Sequence, residues 1–358
     1  MTNFGPTSSP EPAAGRSRGI AIHLLKASVT LIVIAAVGFA ARGALQAWHE
    51  TSDANRIGWQ DIGWSWLWVS AALYALSLVP SSLVLSRALA SLHQPVSLPL
   101  VVAAQLVGHV GKYVPGKAMV IILRASILNR GTAEVSIKLS AIAVIIETLN
   151  LIAVGAALST VLVIVLDAPE WLRWVSGLMA LGATIATLPP VLRFALSLKF
   201  RLRSTAAALR RRSLNQTDVT DRDREPLTWD SSDLLASWIW CTISWVFTGL
   251  SMAAVVAALV PYDQVPSVIS LILICSAAMM LAFVAGFVSL LPGGAGVREL
   301  VLTALLEPSL GAGPAVVAAI LARLIQLGVE SILAAVVWCL FLPRYREAGR
   351  TPAAETEV

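Results

Sequence analysis

Charge is scarce along this chain of 358 residues: 13% are Asp, Glu, Lys or Arg against 57% apolar, where a soluble domain carries about a quarter charged residues. That deficit excludes a solvated surface around a buried core, and a mean hydropathy of +0.78 makes the bilayer the solvent. Cysteine is nearly absent too. Cys241, Cys275 and Cys339 fall in apolar stretches without paired spacing, which excludes a disulfide framework and a metal motif and reads them as small packing residues. The four histidines, His23, His49, His93 and His109, are scattered, and only His109 stands beside a Pro-Gly break. With neither His-Asp nor Cys-His spacing, no catalytic set, metal or cofactor is expected, and the chain is not expected to be an enzyme.

What is present are long apolar runs. A spanning helix needs about 20 mostly apolar residues, and such windows run near 25 to 45, 64 to 86, 138 to 165, 171 to 192, 234 to 260 and 314 to 342. These are six expected crossings. Two further apolar stretches, 98 to 129 and 267 to 308, are interrupted by Pro-Gly motifs. Short-loop Lys and Arg favour the cytoplasmic side. With both termini inside, 18 of the 26 basic residues are cytoplasmic and only Arg42, Arg56 and Arg173 lie outside. That count requires both interrupted stretches to return to the side they entered from. The expected fold is therefore an all-α polytopic membrane protein of about six transmembrane helices plus two re-entrant broken-helix hairpins.

The divisions follow. Residues 1–19 are expected to form a disordered cytoplasmic tail and 20–192 the first half, with hairpin 98–129. Residues 193–233 form a cytoplasmic loop, basic then acidic; 234–342 form the second half, with hairpin 267–308, and 343–358 a cytoplasmic tail.

The two halves repeat upside down. Residues 109 to 128, HVGKYVPGKAMVIILRASIL, and 285 to 306, AGFVSLLPGGAGVRELVLTALL, each have an apolar approach, a Pro-Gly break and a short half-helix bearing an arginine. The next span then carries a charge, Glu147 after Pro115 and Arg323 after Pro292. Each unit reads span, hairpin, span, with opposite entry, an inverted repeat common among secondary transporters. Pro115 and Pro292 lack an N–H, while Gly116, Gly293 and Gly294 permit non-helical backbone. Such backbone at membrane depth lines a wet cavity or lies buried in protein. The half-helices starting near Lys117 and Val297 then aim their N-termini at that cavity, which suits an anion. A tight turn between two packed helices is the plainer alternative.

Ionisable residues within a membrane are costly and mark function or buried pairs. Lys117 and Arg124 share a face at a spacing of seven. Arg323, Gln326 and Glu330 form a stripe that also permits local pairing. Glu147 and Asn150 share another face, and Arg298 with Glu299 opens the second half-helix. Together they would build a net positive chamber. Lys112 and Arg124, near hairpin ends, can instead snorkel to the interface.

At GKYVPGK (111 to 117), IIETLNLI around Glu147, LPGGAGVREL (291 to 300) and ILARLIQL (320 to 327), the sequence resembles the flippase-like transmembrane region of the lysylphosphatidylglycerol synthases and its stand-alone relatives. Where members look like Glu-Arg, this chain has Glu147-Thr148, and Asn150 stands where an acidic residue is common. The resemblance implies the translocation half without a synthase domain, in a cell membrane, moving an anionic or zwitterionic amphiphile such as an aminoacylated phospholipid or lipid-linked sugar between leaflets. On that reading Lys117, Arg124, Arg298 and Arg323 would attract the phosphate, and Glu147, Glu299 and Glu330 would balance charge or contact a cationic headgroup. Expected partners are the lipid itself and a partner synthase or a second copy, with no nucleic acid. An ion-coupled small-solute transporter and a membrane-embedded lipid transferase are the alternatives.

Overall fold

The computed structural model describes residues 62–113, 118–129, 135–198, 227–260, 267–289, 294 and 296–341. The N-terminal tail, the expected span 25 to 45, Pro115, Gly116, Lys117, Pro292, Gly293, loop residues 199–226 and the tail from 342 lie outside the described residues. Every regular element among the described residues is helical. In chain order they are α1 (Trp64–Ser91), α2 (Leu98–Val110) running into a 3-10 turn (Gly111–Tyr113), α3 (Ala118–Leu128), α4 (Ile137–Val165), α5 (Glu170–Thr187), α6 (Pro189–Leu198), α7 (Ser231–Ala257), α8 (Val268–Val288), α9 (Val297–Leu310) and α10 (Ala312–Val336), which closes in a π-turn (Val337–Phe341).

Among the described residues five helices are long and apolar enough to cross a bilayer: α1, α4, α7, α8 and α10 with its π-turn. Two apolar stretches differ from expectation. The expected crossing at 171 to 192 is not one straight helix, because α5 stops at Thr187 and α6 leaves it at 65°. The Pro189-Pro190 pair explains the bend: proline pushes the residue before it out of the helical region, and Leu188 is extended at ψ 136°. The second interrupted stretch opens with α8, whose 21 residues are enough to cross, whereas the first opens with the 13 residues of α2. The two hairpins thus open on first arms of unequal length.

The helices α1 and α7 form an antiparallel axis through the molecule. Gly63 N–H donates to Ala258 O at 2.9 Å, Ser70 meets Ser251 hydroxyl to hydroxyl at 2.9 Å, Ser244 Oγ donates to Ser77 O at 2.6 Å, and Arg87 reaches Asp233 at 3.3 Å. Small residues one heptad apart let membrane helices approach closely. The Ser244 bond also serves a carbonyl in the turn loosened by Pro80, the kind of rescue from a neighbouring helix that lets proline persist in a membrane span.

The hairpins sit at opposite ends of this axis. At the Ser91 end, Leu85, Leu89 and Leu92 form one core with Leu100, Val101, Ile127, Leu128 and Ile146. Both arms of the first hairpin begin and finish there, since Ser136 N–H donates to Gln94 Oε1 at 3.0 Å. At the Gly63 end, Ile62 and Leu259 form the other core with Cys275, Met279, Leu302, Leu306 and Ala315. Opposed hairpins on an antiparallel axis are what an inverted repeat requires. The outer faces are apolar, with Val161, Leu178, Ile269, Leu300 and Ile332 exposed. Exposed Trp64, Trp66, Trp68, Trp171 and Trp174 ring the Gly63 end, where such side chains settle at a membrane–water interface. Cys241 and Cys275 are packed inside, but Cys339 is exposed on the π-turn, whose Val337 and Phe341 face the core.

Candidate functional site

The hairpins are shaped by glycine facing arginine. In the first, Gly108 of α2 lies against the stem of Arg124 on α3, and Gly111 against the Val120 backbone. In the second, a Cβ on Gly286 would lie 2.5 Å from Arg298 Cγ. The missing side chains of Gly108 and Gly286 each make room for an arginine to cross its own hairpin. At the second break Gly294 and Gly296 take φ of 68° and 81°, a region that L side chains avoid. Glu299, in the first turn of α9, accepts the Gly296 N–H at 2.7 Å. The helix end expected to meet an anion is therefore partly capped by the chain itself.

Inside the first unit, Arg124 donates from Nη1 to Glu147 Oε2 at 2.8 Å. Gln105 Nε2 donates to Glu147 Oε1 and to Ser81 Oγ, both at 3.0 Å. Arg124 and Glu147 are buried at 4% and 3% exposure, so Arg124 is an interior ion-pair partner and not a snorkelling side chain. Asn150 is buried too and turns its amide back onto the Ile146 carbonyl at 2.8 Å.

A second cluster gathers around Glu330, which is fully buried on α10. Lys112 Nζ and the Tyr74 hydroxyl donate to Oε1, and the Tyr113 hydroxyl donates to Oε2 at 2.8 Å. His109 Nδ1 stands 4.0 Å from Oε1. The neighbouring cations complete the cluster. Arg323 has its guanidinium 5.2 Å from the Tyr113 ring centre and its Nε 3.5 Å from Glu299 Oε1. Arg298 donates to Gln326 Oε1 at 2.8 Å and stacks 3.5 Å over Phe283. Among the described residues Lys112, Arg298 and Arg323 thus face Glu299 and Glu330, leaving one positive charge in excess. Arg298 Nε, Arg323 Nη1 and His109 Nε2 are buried without a hydrogen-bond partner among the described residues.

The structure accordingly brings Arg298, Glu299, Arg323 and Glu330 together and holds Arg124 with Glu147 in a separate pair. Lys117, Pro115, Gly116, Pro292 and Gly293 lie outside the described residues, while Gly294 is placed against Arg298. The stripe Arg323, Gln326, Glu330 does not pair along its own helix; each member reaches across to another element. Sequence reasoning missed Tyr74, Tyr113 and Gln105. A signal existed, because a phenol buried in an apolar span needs a partner for its hydroxyl.

One further regularity concerns which unit supplies each partner. Arg124 with Glu147 lies within the first unit, and Arg298 with Gln326 and Arg323 with Glu299 within the second. The polar partners of Glu330, on the second unit, all come from the first: Tyr74, His109, Lys112 and Tyr113.

Compared with known families, residues 23–334 match the family described as the lysylphosphatidylglycerol synthase TM region. A comparison with curated proteins gave no match.

Proposed function

Because the chain belongs to the lysylphosphatidylglycerol synthase transmembrane-region family, we propose that it is a lipid translocase, moving an amphiphile with a phosphate-bearing headgroup between leaflets without covalent chemistry. The observation that carries this reading is the buried cluster between the two units, with its surplus positive charge and the partnerless guanidinium atoms of Arg298 and Arg323. Buried donors left unpaired are costly, and a phosphate offers oxygens on several sides, which guanidinium groups bind well. The inverted units would turn about the α1–α7 axis to expose the cluster to each leaflet in turn, while acyl chains stay in lipid. The charge bias of the loops supports an orientation with both termini in the cytoplasm, in a cell membrane.

The test is reconstitution of the full chain in vesicles with fluorescent anionic, zwitterionic and polyprenyl-phosphate lipids, scoring exchange between leaflets. Exchange above protein-free vesicles is expected, with a loss of about tenfold or more in Arg323→Ala, the order expected when one charge-assisted contact is removed. No exchange for any of these lipids would overturn the reading, and uptake of a water-soluble solute in its place would favour ion-coupled solute transport.

A further inference from the structure

The helices α2 and α10 run antiparallel along one seam. At its inner end Lys112 meets Glu330. At its outer end the start of α2 and the π-turn of α10 diverge to leave a groove of about 640 Å³, lined by Leu98, Val102, Ala103, Val336, Leu340 and Phe341 among others, all of them apolar. A π-turn is wider than an α-turn and is frequent at functional sites. Here it forms one wall of the groove, with Val337 and Phe341 packed on the core that α2 shares. From Ala103 to Lys112 the rise is roughly 13 Å at about 1.5 Å per residue, within reach of a chain attached to a headgroup in the cluster.

We propose that this groove seats an acyl chain of the transported lipid and that the α2–α10 seam is its lateral route to the cluster. The inference rests on the translocase reading. A soluble anion would use the cluster and leave the groove empty, and a purely apolar guest would have no use for buried guanidinium groups. An amphiphile uses both, in the order in which the seam presents them. The volume lies within the roughly 300–1,000 Å³ of ligand sites, and exposed Leu98 and Leu340 leave the groove open to surrounding lipid.

The full chain, reconstituted in phosphatidylcholine vesicles with a phospholipid carrying a diazirine in one acyl chain, is photolysed and the labelled peptides are mapped. Labelling is expected to concentrate at 98–103 and 336–341 relative to the outer face of α5 around Leu178. It should fall about tenfold in Val102→Trp, the order of discrimination a filled apolar pocket gives, and stay unchanged in Leu178→Trp. Leu340→Trp, at an exposed position, repeats the measurement if Val102→Trp lowers the thermal midpoint. Labelling equal on the groove and on α5, or indifferent to both groove variants, would mean ordinary boundary lipid and overturn the proposal. Groove labelling in a protein that transports no lipid would sustain the groove and overturn the translocase reading, whereas transport without groove labelling would do the reverse.

Discussion

Arg124 and Glu147 are taken out of water together, and what each contributes depends on the other. A charge at the centre of a membrane helix costs about 2.5–3.5 kcal/mol on insertion scales, and removing one member of a buried pair strands its partner at about 3–5 kcal/mol. Arg124→Met should therefore lower the thermal midpoint in detergent sharply, and the double variant Arg124→Met with Glu147→Leu should regain most of the loss. If the double variant is no more stable than the single one, the pair is not the source of the effect. Gly286 acts by absence. In Gly286→Val the added carbons meet the Arg298 stem, an overpacking worth about 1–3 kcal/mol. The guanidinium would then leave Gln326 and the Phe283 ring. Gly182, with open space around the missing Cβ, is the matched control: Gly182→Ala should leave the midpoint unchanged or raised.

Among the elements, α7 has the clearest start. Asp230 accepts from the backbone N–H groups of Ser232 and Asp233, at 2.8 and 2.9 Å. The backbone hydrogen bond from Asp233, followed by the Ser232 side chain, holds the Asp230 carboxyl below its ordinary value. A lowered value means that the stabilisation is present above the unfolded carboxyl range and is lost as pH falls through the lowered one. Asp230→Ala should be less stable than the parent near neutrality, and the two should converge in acid when followed by thermal unfolding in detergent. A gap that persists in acid would assign the effect elsewhere. The sequence announces other boundaries equally well. The half-helices begin where the Pro-Gly breaks place them, at Ala118 and Val297, because proline and glycine act locally. The bend at Leu188 was legible in Pro189-Pro190 and was overridden by an apolar window that averages across it. The polar stripe on α10 was legible from spacing alone. Its partners were not, since Tyr74 and Glu330 are 256 residues apart and nothing local to either codes for the other.

At the scale of the molecule, the inverted plan was readable from loop charge and repeated breaks, while the line where the units meet needed coordinates. Glu330 holds that line. In Glu330→Gln the ion pair to Lys112 is lost and the phenols keep only a neutral acceptor, so the α2–α10 seam should loosen. Spin labels at Leu98 and Leu340 should report a longer and broader distance distribution than in the parent; an unchanged distribution would show that packing alone closes the seam. The assignment of polar partners then has a mechanical meaning. Arg124 and Arg298 are fastened to the long helix of their own unit, and Arg323, on the long helix α10, is fastened to Glu299 of its own hairpin. Neither hairpin can slide as a separate flap without stripping a guanidinium of its company inside an apolar medium. On the proposed translocase reading each unit would swing as a block about the serine-lined α1–α7 contact, parting at the contacts to Glu330.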